Sequence, residues 1–379
     1  NSRLTGTIDA YWNTTKDLLM KTAIPGITGF TSTYANVGQT SNKGIEIALQ
    51  GVLVKTRDWN VTAGFNINFN RGKVDKLADN VTGLYGTEWA TSSTFPKSDY
   101  VLKEGRPVGL VRGLTADGFY TTDDFTYANG VYTLKEGVAD VSSAVFPNYH
   151  LHNGMNERPA GQLAYPGMAK FKDLNDDGII NDDDVDVIGD MTPVHTGGFN
   201  INATYKNFDL GLYFNWSYGN EIYNVNKLAA LYGYKEGAVY ENKLSIVKDC
   251  YKIYDVVNGE LVALTTPEQL NAANANAKLP LAYSENGYVS TLGIEDGSYL
   301  RLNTLTLGYT LPKSMLQKAG ISNLRVYGSI YNVFTITGYS GIDAEVSTST
   351  STKTYPQLGM DWGTYPRARS FVLGVNLSF

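Results

Sequence analysis

Residues 61–70 read VTAGFNINFN. Val61, Ala63, Phe65, Ile67 and Phe69 fall on one side; Thr62, Gly64, Asn66, Asn68 and Asn70 fall on the other. A period of two puts successive side chains on opposite faces of a strand, so this stretch is a β-strand with one apolar face. The same scheme recurs outward from it. Residues 4–13 set Leu4, Gly6, Ile8, Ala10 and Trp12 against Thr5, Thr7, Asp9, Tyr11 and Asn13. Residues 208–218 line up Phe208, Leu210, Leu212, Phe214, Trp216 and Tyr218, and residues 199–206 alternate in the same way. The final strand alternates Phe371, Leu373, Val375, Leu377 and Phe379 with Val372, Gly374, Asn376 and Ser378.

Alternation alone also suits a soluble sandwich. Two features point instead to a membrane-spanning barrel. The polar face is built of Asn, Thr and Gly rather than Lys and Glu, which suits a lumen. The strands run about ten residues, the length a tilted strand needs to cross a bilayer. Aromatic residues also gather at strand ends (Trp12, Trp59, Trp216, Tyr218, Tyr331, Phe334), as in interfacial girdles.

The spacing predicts eight strands, at 3–17, 40–54, 58–73, 195–206, 207–220, 297–311, 322–337 and 366–379. The links between them alternate in length. Those at 20–39, 74–194, 221–296 and 338–365 are long. Lys55–Asp58 and Lys206–Asn207 are short, and Pro312–Ser322 is intermediate with room for one short helix. Short turns on one side and long loops on the other are the sidedness of an outer-membrane barrel.

Composition agrees. Of 379 residues only 18% are charged, 39 are Gly and 27 are Tyr. With 31 basic and 37 acidic residues the net charge is −6, which leaves no basic footprint for a nucleic-acid partner. The single cysteine, Cys250, excludes an intrachain disulfide and a zinc cluster. No run of apolar residues is long enough for a transmembrane helix. The chain opens Asn1-Ser2-Arg3-Leu4, without Met and already in strand pattern, which suggests a fragment or a processed product.

One local motif carries chemistry. Asp173, Asn175 and Asp177, followed by Gly178, match the start of a calcium loop, D-x-[DN]-x-[DN]-G. Ile179 would add its carbonyl, Asn181 a direct or water-mediated oxygen, and Asp184 the twelfth-position carboxylate. Asp184 has a shorter arm than the usual Glu, so affinity is expected to be modest. The alternative is an acidic Asx-turn cluster. His150 and His152 form a weak pair without a third ligand, and His195 stands alone at a strand start. No nucleophile elbow, phosphate loop or dinucleotide fingerprint is present, and Cys250 has no activating context. The loop aromatics Tyr85, Trp89, Tyr100, Phe119, Tyr120, Tyr232 and Tyr234 would either stack on a ligand or pack small cores within the loops.

Six stretches together resemble the SusC/RagA family of TonB-dependent outer-membrane transporters. They are RLTGTIDAYWNTTKDLL (3–19), YANVGQTSNKGIEIAL (34–49), FKDLNDDGIINDDDVDVIG (171–189), GSYLRLNTLTLGYTLP (297–312), YNVFTITGYSGIDAE (331–345) and YPRARSFVLGVNLSF (365–379). The resemblance implies an all-β fold: a transmembrane antiparallel barrel segment contributing the last eight of twenty-two strands. Residues 1–379 would then be the C-terminal portion of the barrel, with extracellular loops at 74–194 and 221–296 and with the plug and N-terminal domains absent. It implies import of a large nutrient, oligosaccharide or peptide, in the outer membrane of a Gram-negative bacterium. It implies as partners a SusD-like surface lipoprotein, the remaining plug and strands of the transporter, TonB through the missing N-terminal part, and outer-membrane lipid. Phe371, Leu373, Val375, Leu377 and Phe379 would form the barrel-assembly signal. Two rivals remain at this point: a self-contained eight-stranded barrel with adhesive loops, and a soluble secreted glycan-binding protein stiffened by calcium.

Overall fold

The computed structural model describes residues 3–23, 29, 32–77, 83–90, 94–146, 158–232, 244–282, 287–317, 320–348 and 357–379. Eight strands form one antiparallel sheet: β1 (Leu4–Ala23), β2 (Ser32–Lys55), β3 (Trp59–Lys76), β4 (His195–Tyr205), β5 (Phe208–Tyr218), β6 (Tyr299–Thr310), β7 (Asn323–Thr337) and β8 (Ser370–Ser378). Each pairs with its neighbour in chain order, so the sheet is a simple meander. These are the eight strands expected from the period-two pattern. The helix expected in the intermediate link is also present, at Lys313–Leu316.

Register carries the apolar rows across the sheet. Ile8 faces Ile47, which faces Ile67. Phe65 faces Phe199, and Phe199 faces Phe214 with ring centroids 4.3 Å apart. Leu212 faces Leu305, Leu305 faces Ile330, and Ile330 faces Phe371. This face is open: Ile8 is 73% exposed and Leu373 88%. A sheet that displays such a surface is built for hydrocarbon, not water. The other face is polar. Tyr11 donates to Asn70, and Asn303 lies beside Asn215, which donates to Tyr299. A Cβ at Gly44 would collide with the Tyr11 ring, so glycine there lets the ring lie flat on the sheet.

Two expectations need correction. The 20–39 link is not a long loop, because β1 and β2 run on as a ribbon to the pair Ala23–Ser32. The alternating apolar pattern fades there, but hydrogen-bonded pairing does not require it once the ribbon leaves the bilayer. The self-contained barrel also fails. Among the described residues β1 pairs only with β2 and β8 only with β7, so the eight-stranded sheet stays open at both edges.

The long links fold into a second layer. A four-stranded sheet joins residues 84–86, 100–102, 110–114 and 185–190. Glu221–Asn224 pairs with Ile294–Asp296 and with Met360–Asp361, which ties two different links together. One hydrophobic core serves all three long links beyond β3, with Leu114, Tyr120, Tyr165, Tyr223, Leu228 and Val289 fully buried and Met360 packed among them. The links therefore share a core rather than each packing its own.

Candidate functional site

The acidic loop lies in this second layer. Gly178 takes a φ of +84°, the left-handed turn that only glycine accepts freely. Asp173 accepts the N–H of Gly178 at 2.7 Å and of Asp177 at 3.3 Å. Asn175 accepts the N–H of Asp177 at 3.2 Å, and Asp177 accepts the N–H of Ile179 at 2.9 Å. Asn181 caps the short helical turn 182–184 by accepting from the Asp183 N–H at 2.7 Å. Asp184 is fully buried, and its two oxygens accept the N–H groups of Leu174 and Asn181 at 2.7 and 2.8 Å. The structure thus brings all six sequence-predicted residues into one turn closed by Asx contacts. Among the described residues no three His, Cys, Asp or Glu side chains converge as a metal cluster. The donor set is nonetheless all oxygen, the chemistry a hard cation takes.

The predicted terminal signal lies on β8 and just past it. Phe371, Leu373, Val375, Leu377 and Phe379 are all exposed on the apolar face. His195 sits on that face too: its Nδ1 accepts the Trp216 indole N–H at 3.0 Å, and its ring stacks on Tyr218. It is an aromatic-girdle residue. His150 and His152 lie outside the described residues.

The loop aromatics resolve mostly as packing. Tyr100 and Tyr120 are buried, and Trp89 and Phe119 pack against the shared core. Tyr85 is exposed, with the Arg112 guanidinium 4.8 Å from its ring centre. The Tyr232 side chain and Tyr234 lie outside the described set. Burial pushes the Tyr100 and Tyr120 hydroxyls far above their ordinary titration, with neighbouring Asp charges adding to the shift. They stay neutral donors: Tyr100 to the Leu358 carbonyl and Tyr120 to that of Ala139. Burial likewise pushes the Cys250 thiol up to about 11, helped by Asp249, so it is not a nucleophile at neutral pH.

Sequence reasoning missed a buried charge cluster on the polar face. Arg301 on β6 is 1% exposed and pairs with Asp343. Its Nη1 lies 3.3 Å from Glu345, which also binds Arg367 at 2.9 Å. Tyr299 lies beneath the guanidinium, 5.5 Å from ring centre to charge. Only an arginine on the polar face of an alternating strand hinted at this; its acidic partners sit in a link whose path sequence does not reveal. A second clamp holds the same link. Glu295 accepts from Ser340 N–H and Oγ at 3.0 and 2.9 Å and lies 3.2 Å from Lys227. Burial acts to raise the Glu295 pKa, but these partners outweigh it and hold the carboxyl below its ordinary value.

An open meander with one apolar face and one polar face, capped by a folded loop layer, defines part of a large β-barrel of the outer-membrane type. The family model described as TonB dependent receptor-like, beta-barrel matches residues 1–165. The chain is 29% identical over its whole length to TonB-dependent receptor P3 of Formosa agariphila, covering 33% of that protein. It is 27% identical to TonB-dependent receptor SusC of Bacteroides thetaiotaomicron, again over all of this chain and 30% of that one. In fold it matches the RagAB peptide importer in its closed-closed state, with TM-score 0.68 and 23% identity over the whole chain and 34% of the neighbour. The chain is thus similar in sequence to part of TonB-dependent receptors, SusC among them, and similar in fold to part of the RagAB importer; these matches are receptors and transporters rather than enzymes. It spans about a third of the length of these relatives.

Proposed function

We propose that this chain is the C-terminal part of the barrel wall and outer loop layer of an active importer in a Gram-negative outer membrane. The cargo is a large nutrient, an oligosaccharide or a peptide. The observation that carries this reading is the open sheet. An unpaired strand edge is not viable in lipid, so β1 and β8 must continue into further strands of a wider barrel. That wider barrel, its plug and the TonB-contacting segment are the partners this reading requires. A SusD-like surface lipoprotein would sit on the loop layer, and lipid would surround the wall. No nucleic acid is involved.

Within this reading the turn at 173–184 is a structural calcium site. Asp173, Asn175, Asp177, the Ile179 carbonyl, Asn181 and Asp184 supply the oxygens that would stiffen the outer layer. The exposed row Phe371, Leu373, Val375, Leu377 and Phe379 serves as the assembly signal as well as lipid-facing wall.

The deciding experiment deletes the gene for the complete receptor in its native host and compares growth on single oligosaccharides and on peptides. Loss of growth on one cargo class, restored by the intact gene but not by a version lacking its TonB-contacting segment, is the expected result. Unchanged growth and uptake on every cargo tested overturns it.

A further inference from the structure

The apolar face of β1–β3 ends in a cationic row. Trp12 faces Lys43, and Lys43 faces Arg71. One row further out, Thr14 faces Ser41, and Ser41 faces Lys73. Ten residues of β3 separate Trp59, at the short-turn girdle, from Phe69, the last apolar residue before Arg71. At ~3.3 Å per residue and a tilt of ~40° they rise ~25 Å, the height of the apolar band of an outer-membrane barrel. The Lys43–Arg71 row therefore lies just beyond the hydrocarbon, at headgroup level on the long-loop side.

Lys43 and Arg71 are like charges directly opposite one another on neighbouring strands, an arrangement that is destabilising without a counterion. Among the described residues neither has an acidic partner. Arg71 uses Nη1 on the backbone carbonyls of Pro193 and Asn70, at 2.7 and 3.4 Å. The nearby carboxylate of Asp75 is already committed to Ser41 at 2.9 Å and to Gln39 and Lys73 at 3.4 Å each. Asp190 is likewise turned to the Thr192 N–H at 2.9 Å. A cavity of about 980 Å³ opens here, lined by Trp12, Lys43, Arg71, Lys73 and His195 among others.

We propose that Lys43 and Arg71 bind the phosphate of an anionic outer-leaflet lipid, with Trp12 packed against the lipid at the boundary. Two opposed cations match a phosphate that both can reach, and the guanidinium keeps its remaining nitrogens for charge-assisted bonds. The inference rests on the proposed membrane wall.

The test uses the complete receptor, purified from outer membranes in uncharged detergent, with lipid A as the probe. Retained lipid A is counted by native mass spectrometry for the wild type, for K43Q/R71Q and for the charge-keeping K43R/R71K. Loss of two headgroup charges is expected to lower retention about thirtyfold. The charge-keeping pair should hold it, and excess inorganic phosphate should not displace the lipid. Equal retention by K43Q/R71Q, in protein that still runs as a heat-modifiable folded barrel, overturns the lipid site and leaves the wall standing. Displacement by inorganic phosphate overturns it in favour of a free-anion site. Extraction of the receptor from membranes without detergent overturns the wall and the site together.

Discussion

Arg301 on β6 lies buried against Asp343, 42 residues further along the chain, on the polar face of the wall. The pair joins a strand to the link that leaves β7 and returns to β8. Removing one partner of a buried pair costs roughly 3–5 kcal/mol, and less here because Glu345, itself partly exposed, stays within 3.3 Å of Arg301. Asp343→Asn should therefore loosen residues 338–348 from the wall. Limited trypsin digestion of the folded receptor should show faster cleavage in the 338–370 region; an unchanged digestion pattern would count against the clamp.

Glu295 makes the same link pH-sensitive. Its folded carboxyl titrates below the ordinary 4.5 because Ser340 and Lys227 favour the charged form over the opposing effect of burial. A depressed acid contributes stability above its unfolded pKa, and that contribution is lost as pH falls from there through the folded value. The loop layer should open progressively as pH drops below about 4.5. Hydrogen exchange at residues 338–342 across this range is the readout. Glu295→Gln should flatten the pH response, and a wild-type curve that is already flat would refute the assignment.

The turn at 173–184 should respond to calcium. Adding calcium to chelator-treated receptor should raise its thermal midpoint by a few degrees, since a ligand that binds only the folded state stabilises it. Asp173→Asn with Asp177→Asn should abolish the shift. A wild-type midpoint indifferent to calcium would leave the turn as a self-contained Asx cluster.

Leu373 projects from the middle of β8, 88% exposed on the apolar face. Leu373→Arg should cost about 2–4 kcal/mol if that face meets the bilayer centre, against little effect for the same change on a water-facing wall. Heat-modifiability of the assembled receptor measures it. Deleting Phe379 should lower the amount of assembled barrel without altering the stability of what does assemble. Normal assembly after the deletion would remove the signal role.

Cys250 is buried and its thiol is raised to about 11. At pH 8 only about a thousandth of it is thiolate. Alkylation should be very slow in the folded receptor and should accelerate on unfolding. Rapid labelling of the native protein would mean that the shared loop core opens.

The strand count, their order and their two faces were legible in the sequence, because a period of two follows from the alternation of Cβ directions and needs no tertiary knowledge. VTAGFNINFN alone specified which side chains of β3 share the apolar face and which share the polar one. The acidic turn was equally local: Asp173 and Gly178 are five residues apart, and their hydrogen bond depends on nothing else. The long links were not legible in this way. Their core forms from Leu114, Tyr223 and Val289, residues brought together across more than a hundred positions. Local periodicity carries no information about such contacts. Arg301 could not be matched to Asp343, nor Glu295 to Ser340, until the link after β7 was seen to fold back on the wall. The cationic row came from both sources. Alternation put Trp12, Lys43 and Arg71 on the apolar face, but only register set them side by side, since sliding a neighbouring strand by two residues would keep every face and move the charges apart.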